Sequence, residues 1–347
     1  MHCSYCYYID KCRSSHDMLM DDRVLEKFIR EYIEAQSTSE VLFTWHGGEP
    51  TLRGLEFYKR VVRLQQYYAR QCNIHIDNVL QTNGTLLTEE WGRFLHDKGW
   101  LVGISIDGPR AIHDKYRQPA SFDRVMHAID ILKRNNVMWN AMAVVTNESA
   151  RNPEEVYSFF KSIEAHYIQF TPLVDNPRHL HNDELSVNGA LSAEEWGHFL
   201  CGVFDAWVKE DVGEYFVEIF DATLANYVGV EPGICCFSPT CGKAGVIEHN
   251  GDVYSCDHFV EPEHLLGNIK RDSILDMMLG RRQQMFGESK RRTLSERCLS
   301  CPYLRLCNGE CPKNRMPNGE NILCAGYLQY FRHTAPFMLQ KMSEILS

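Results

Sequence analysis

Fourteen cysteines are unusual in a chain of 347 residues, and nine of them fall between Cys235 and Cys324. That C-terminal array consists of Cys235 and Cys241, then Cys256, then the run Cys298-x2-Cys301-x5-Cys307-x3-Cys311, and finally Cys324. With Cys236 set aside as the neighbour of a candidate ligand, eight thiols remain, enough for two four-thiolate sites. In a large chain without the look of a small secreted scaffold, cysteines clustered at such spacings indicate metal ligands rather than disulfides. Softness of the ligand does not separate zinc from an iron–sulfur cluster here, because four thiolates suit both. A second element, Cys3-Ser4-Tyr5-Cys6-Tyr7-Tyr8, contains a CxxC that by itself fits zinc, redox or cluster chemistry. Asp257 directly follows Cys256, where a carboxylate could accept a proton beside a redox centre, or simply serve a turn. Cys12, Cys72 and Cys201 read as ordinary residues, Cys201 packed on its helix.

The elements that must position these residues alternate. Apolar residues at helical spacing mark Asp22 to Ala35, Leu55 to Ala69, Thr88 to Lys98, Phe122 to Arg134 and Pro153 to Ile163. Short apolar runs between them read as strands: Val41 to Trp45, Asn78 to Gln81, Leu101 to Ile106, Asn140 to Val145 and Tyr167 to Phe170. Thr88 and Ser121 are the expected N-caps of their helices. Such alternation means parallel βαβ units with right-handed crossovers, and five or six of them would make an open or closed β/α barrel. Just after the strands stand His46-Gly47-Gly48-Glu49-Pro50, Thr82-Asn83-Gly84 and Asp107-Gly108-Pro109, the polar and glycine-rich composition of a ligand-binding rim or of plain turns.

A helical stretch, Ala193 to Lys209, precedes the cysteine-rich part. From residue 233 the rhythm gives way to hairpin-like pieces, Gly245 to Glu248, Asn250-Gly251 and Val253 to Cys256. The boundary is placed near 225–235, dividing a first domain, 1–225, from a second, 226–347.

A formal net charge of −10 makes the chain a poor ligand for phosphate backbones, so no nucleic-acid partner is expected. Lys290-Arg291-Arg292 reads as a solvated loop. Apolar stretches such as Leu101 to Ile106 are far too short to cross a bilayer, and no secretory signal stands at the start. A cytoplasmic protein without membrane contact is expected, monomeric because no heptad or long exposed apolar stripe occurs.

The N-terminal CxxC resembles the second half of the radical S-adenosylmethionine (SAM) signature CxxxCxxC, including the aromatic residue beside its last cysteine. The first cysteine of that signature would fall two positions before Met1. On this reading the chain starts inside the motif, the barrel's first strand lies upstream, and the SAM cluster is expected to bind poorly to this form. The C-terminal array resembles the SPASM extension of the same superfamily. The implied fold is α/β: a partial (β/α)6 radical SAM barrel followed by a cysteine-rich SPASM iron–sulfur domain.

Along nearly its whole length the chain is most similar to anaerobic sulfatase-maturating enzymes. The resemblance is carried by Trp45-His46-Gly47-Gly48-Glu49-Pro50, Gln81-Thr82-Asn83-Gly84-Thr85, Ser105-Ile106-Asp107-Gly108-Pro109 and Tyr254-Ser255-Cys256-Asp257-His258-Phe259. It implies S-adenosyl-L-methionine and three [4Fe–4S] clusters as cofactors. Cys3 and Cys6 would serve the SAM cluster. Cys235, Cys241, Cys256 and Cys311 would hold one auxiliary cluster, and Cys298, Cys301, Cys307 and Cys324 the other. Tyr5, Gly48, Ser105, Arg117 and Leu173 would contact SAM. A glycine pair lets backbone approach the methionine portion, and the fork of Arg117 suits its carboxylate. From sequence alone, Arg117 is equally a surface arginine in a loop, His113 to Arg117. Glu49 and Asp107 are further polar rim candidates, although Glu49 could instead cap a helix.

Asp257 would be the catalytic proton acceptor. The implied reaction is oxidation of a Cys or Ser side chain, on an unfolded sulfatase polypeptide, to Cα-formylglycine. An electron donor such as ferredoxin or flavodoxin is the other implied partner. Two alternatives stand beside this: another SPASM peptide-modifying maturase, and a zinc-stabilised binding module with a degenerate barrel.

Overall fold

The computed structural model describes residues 1–6, 8, 19–175 and 188–347. In chain order the first part comprises β1 (His2–Cys3), α1 (Asp22–Glu34), β2 (Glu40–Trp45), α2 (Leu55–Cys72), β3 (His75–Thr82), α3 (Glu89–Asp97) and β4 (Leu101–Ser105). It continues with α4 (Arg110–Tyr116), β5 (Arg117–Gln118), α5 (Phe122–Arg134), β6 (Trp139–Val145), α6 (Pro153–Ser162), β7 (Tyr167–Pro172), α7 (Ala193–Glu210), β8 (Phe216–Val217) and α8 (Glu218–Val228). The second part comprises β9 (Val246–Ile247), β10 (Asp252–Tyr254), β11 (Leu265–Asn268), α9 (Ile274–Leu279) and α10 (Arg281–Arg292). Two short helices follow, α11 (Glu296–Leu299) and α12 (Leu304–Cys307), and the chain ends in α13 (Cys324–Leu346).

Six strands form one parallel sheet in the order β2-β3-β4-β6-β7-β8, with β2 and β8 at its open ends. This is the partial barrel expected from the alternation. The sixth strand, β8, was not legible as a strand, since only Phe216 and Val217 pair with β7. In β2 the side chains alternate between exposed and buried, sending Val41, Phe43 and Trp45 inward. Helices pack their apolar stripes on this sheet; α1 buries Leu25, Ile29 and Ile33 in its core. Each such aliphatic side chain contributes roughly 1.5–3 kcal/mol on burial. Thr88 caps α3 as its type suggests, accepting from the Trp91 backbone N–H. Ser121 does not cap α5 through its side chain; its hydroxyl is bonded to the His113 ring instead.

Gly103 in β4 has a packing reason. A Cβ there would lie 1.9 Å from Gln81 Oε1, so glycine lets the Gln81 amide cross the strand and donate to Ser105 Oγ at 3.1 Å. Another close approach joins the two halves. A Cβ on Gly326 would meet the Ala193 carbonyl at 2.1 Å and Gly197 N at 2.8 Å, so α13 crosses α7 with the two backbones in contact.

The boundary near 225–235 falls in the irregular chain after α8, yet the apolar core does not stop there. Phe237, Leu306, Leu323, Tyr327, Tyr330 and Phe331 join the barrel's own core residues in one cluster. A smaller cluster sets Val24 of α1 against Val253, Ile269, Ile274 and Met277. The Ile274 N–H, opening α9, donates to Glu31 of α1 at 3.1 Å. β9, β10 and β11 form an antiparallel sheet around the Asn250-Gly251 turn. Among the described residues no helix is long and apolar enough to cross a membrane.

Candidate active site and cluster sites

The N-terminal CxxC is fixed to the barrel by β1, whose Cys3 pairs with Arg117 of β5 in antiparallel register. The Ser4 N–H donates to the Tyr116 carbonyl at 2.8 Å and the Cys6 N–H to the Cys3 carbonyl at 3.0 Å, and both thiols are half-buried. Burial raises the Cys3 pKa, with the Arg117 charge opposing. Tyr8, just beyond, donates its hydroxyl to Glu248 beside the C-terminal hairpin. Cys12 lies outside the described residues.

Arg117 is no surface arginine in a loop. The residues before it form α4, and only 7% of Arg117 is exposed. Its Nε and Nη2 bond the two carboxylate oxygens of Asp107 at 2.8 and 2.9 Å. Asp107 is not an open rim contact either. It is 1% exposed and also accepts from Tyr5 Oη and from the Val144 N–H at 3.0 Å. Burial alone would raise the Asp107 pKa, but the Arg117 charge and these donors hold it below the usual carboxylate range. Beneath them, the buried His113 ring receives the Asp107 N–H on Nδ1 at 3.4 Å and meets Ser121 Oγ through Nε2 at 3.0 Å. Burial and the Arg117 charge push its pKa down to about 4, so the ring is neutral near pH 7. The Arg117 guanidinium also stands over the Tyr5 ring, 5.7 Å from its centroid.

The remaining expected cofactor contacts lie at the C-terminal ends of strands, as barrel chemistry requires. Glu49 after β2 caps the 3-10 turn Pro50–Arg53 and accepts from Thr82 Oγ1 at 2.7 Å and the Asn83 N–H at 2.9 Å, tying the tops of β2 and β3 together. Gly48 is exposed on that rim, beside Gly47, whose φ of 133° suits glycine. Ser105 ends β4. Leu173 follows β7, its N–H donating to the Val145 carbonyl at 2.9 Å, with an 8% exposed side chain.

Several of the C-terminal cysteines lie within one another's electrostatic reach, Cys236 among them through Cys235 and Cys311. Cys235 feels Cys241; Cys311 feels Cys256 and Cys235; Cys256 feels Cys235. Separately, Cys307 feels Cys301, Cys298 and Cys324. The latter four also line one largely apolar cavity with Leu304 and Phe331. Burial raises every one of these pKa values for which a shift is resolved, Cys307 to about 12, which suits thiols that ionise only on binding a metal centre. Among the described residues no three His, Cys, Asp or Glu side chains converge closely enough to hold a single metal ion.

Asp257 connects the two halves. Cys256 Sγ donates to its Oδ1 at 3.2 Å, and His258 Nε2 stands 4.0 Å from Oδ2. It is also within electrostatic reach of His46 at the top of β2. Burial pushes its pKa up, but His258, the Cys256 thiol and His46 outweigh that and leave it lowered. The carboxylate is therefore ionised near neutral pH. On the other side, His258 Nδ1 lies 3.7 Å from Cys311 Sγ.

Residues 1–160 match the Radical SAM superfamily, and residues 235–302 match the iron–sulfur cluster-binding SPASM domain. The serine-type anaerobic sulfatase-maturating enzyme of Bacteroides thetaiotaomicron is 50% identical over 99% of this chain and 89% of its own length. The chain belongs to the anaerobic sulfatase-maturating enzymes. A cysteine-type member of this family, from Clostridium perfringens, is 30% identical over 99% of this chain and 95% of its own. A solved structure of the family, native anSMEcpe with bound AdoMet and Kp18Cys peptide, superposes with a TM-score of 0.91 at 30% identity, over 99% of this chain and 96% of that one. SAM and iron–sulfur clusters are the cofactors that an anaerobic sulfatase-maturating enzyme of this architecture implies, and the thiols gathered here fit such clusters.

Three charged residues among the clusters escaped the sequence reading. Lys290-Arg291-Arg292 is not a solvated loop but the last turn of α10, and Lys290 is 0% exposed. Arg315 is 2% exposed, and Glu310, between Cys307 and Cys311, is 5% exposed. Glu310 stands inside the cysteine run, which was a usable signal. For Lys290 there was none, because its burial depends on how α10 packs.

Proposed function

We propose that this chain oxidises a Cys or Ser side chain of an unfolded sulfatase segment to Cα-formylglycine. It does so with SAM and three [4Fe–4S] clusters, one at Cys3 and Cys6 and one in each C-terminal cysteine quartet. The observation that carries the reading is the placement of Asp257, bonded to Cys256 on one side and facing His46 of the barrel rim on the other. Its immediate support is the family to which the chain belongs.

When bound, SAM and the clusters would supply hydrogen-atom abstraction at the substrate Cβ and an acceptor for one electron. The chain's own residues do the rest. Asp257, held ionised, takes the proton from the substrate thiol or hydroxyl. Loss of that proton, the hydrogen atom and the electron leaves a C=O bond from serine. Cysteine gives C=S, which water converts to the aldehyde with release of H2S. The Cys256 thiol that donates to Asp257 loses its proton on ligation, which frees that oxygen for the substrate. Asp107 holds Arg117 and Tyr5 against the N-terminal thiols. Asp107 takes one N–H each from Nε and Nη2 of Arg117, so three N–H groups, on Nη1 and Nη2, remain that could serve the carboxylate of SAM. Gly48, Ser105 and Leu173 complete the cofactor's bed on the strand ends, where a monomer supplied by ferredoxin or flavodoxin would work.

The test is direct. Reduced, reconstituted protein is incubated with SAM and a peptide bearing the C/S-x-P-x-R motif, and the product mass is read. A mass corresponding to aldehyde supports the reading. Intact peptide in the presence of SAM cleavage would favour a maturase of another peptide class.

A further inference from the structure

Lys290 is the least expected residue near the cysteine quartets. Its ammonium donates to the carbonyls of both Cys235 and Cys236 at 2.7 Å, with no part of the residue exposed. A buried ammonium is costly unless an anion stands close by. Among the described residues the thiols of Cys235, Cys236 and Cys241 and the carboxyl of Glu310 all lie within its field. Glu310 is itself engaged by Asn314 and Asn321.

A second cation reinforces the first. Arg315 donates to the carbonyls of Gly309, Asn308 and Glu310, and through Nη1 to the Lys290 carbonyl at 2.6 Å. Its charge also reaches Cys241. Lys290 and Glu310 therefore stand near Cys235 and Cys241 of the quartet Cys235, Cys241, Cys256 and Cys311, while the Arg315 charge reaches both this quartet and Cys298 of the other. Four thiolates around an iron–sulfur core carry net negative charge, which increases by one on reduction. A fixed cation beside such a core stabilises the reduced form more than the oxidised form.

We propose that Lys290 is a positioning residue that sets the reduction potential of the cluster held by Cys235, Cys241, Cys256 and Cys311, raising it so that this cluster can accept the substrate's electron. The inference rests on the reading that this quartet holds an iron–sulfur cluster. Lys290 acts as a fixed charge; its backbone-directed hydrogen bonds keep the ammonium from swinging out to solvent.

The experiment is an EPR-monitored redox titration of anaerobically reconstituted holoprotein, with iron and sulfide counted on every sample. It is repeated in a Cys3→Ala/Cys6→Ala background, where the C-terminal clusters are seen alone. Lys290→Met and Lys290→Gln remove the charge, the latter keeping donors for the two carbonyls; Lys290→Arg keeps it. Expected is a shift of one C-terminal couple to more negative potential in both neutral variants. At the parent's midpoint the ratio of reduced to oxidised form should fall at least tenfold, about 59 mV for a one-electron couple. Lys290→Arg should restore it. Unshifted couples in neutral variants with full iron overturn the proposal, as does loss of iron from both neutral variants, which would make the lysine a purely structural strut. Absence of any C-terminal cluster signal from the parent protein would instead overturn the reading beneath it.

Discussion

Asp107 and Arg117 form a buried two-point ion pair, Nε to Oδ2 at 2.8 Å and Nη2 to Oδ1 at 2.9 Å, ten residues apart in sequence and joined across the turn of α4. The pair holds Tyr5, and through β1 and β5 the N-terminal thiols, against the top of the sheet. Removing one partner leaves a charge without compensation. Asp107→Asn is expected to cost about 3–5 kcal/mol, measured by urea unfolding. A double replacement, Asp107→Leu with Arg117→Met, should recover much of that loss, because it leaves no buried charge. If Asp107→Asn unfolds like the parent, the pair has no structural weight.

Asp257→Asn is expected to retain cleavage of SAM to 5′-deoxyadenosine while losing most formylglycine, since the amide cannot take the substrate's proton. Both products are quantified from the same reaction. Undiminished formylglycine would remove Asp257 from the mechanism.

The two cysteine groups predict separable losses of iron. Cys241→Ala and Cys301→Ala should each lower the reconstituted content by about four iron atoms per chain. Combining them should be additive. Cys236→Ala should leave the count unchanged. A loss from the Cys236 variant equal to that from Cys241→Ala would move Cys236 into the ligand set.

Glu218 stands directly after β8, and burial together with Asp221 pushes its carboxyl up to about 7. Because the folded value lies above the ordinary one, the fold favours the protonated form. The associated stability is complete below about pH 4 and is lost as pH rises through about 7. Between about pH 5 and 8 the parent should lose on the order of 1–2 kcal/mol from this group, allowing for its partial exposure. Glu218→Gln should flatten that part of the profile, as followed by urea unfolding across the window. Identical pH profiles would discard the assignment.

Much of this protein was legible in the order of its residues. Apolar spacing located α1, α2, α3, α5, α6 and α7 and five of the six parallel strands, because helix and strand periodicities are local properties of a chain packing on one face. Asn250-Gly251 announced its hairpin for the same reason. The density of cysteines announced metal chemistry. What spacing could not say was which thiols meet. Cys235 and Cys311 lie far apart in sequence, and their assignment to one quartet comes from family resemblance.

Charges depended most on tertiary contact. Arg117 could be a cofactor contact or, equally, a surface arginine, and Lys290-Arg291-Arg292 read as a solvated loop, since charged residues are ordinarily exposed. Packing of α4 and β5 around Asp107 buried the first, and packing of α10 against the Cys235-Cys236 backbone buried Lys290. Whether a charge is buried is decided by the partner it finds, and that partner is supplied by the fold, not by the neighbours along the chain.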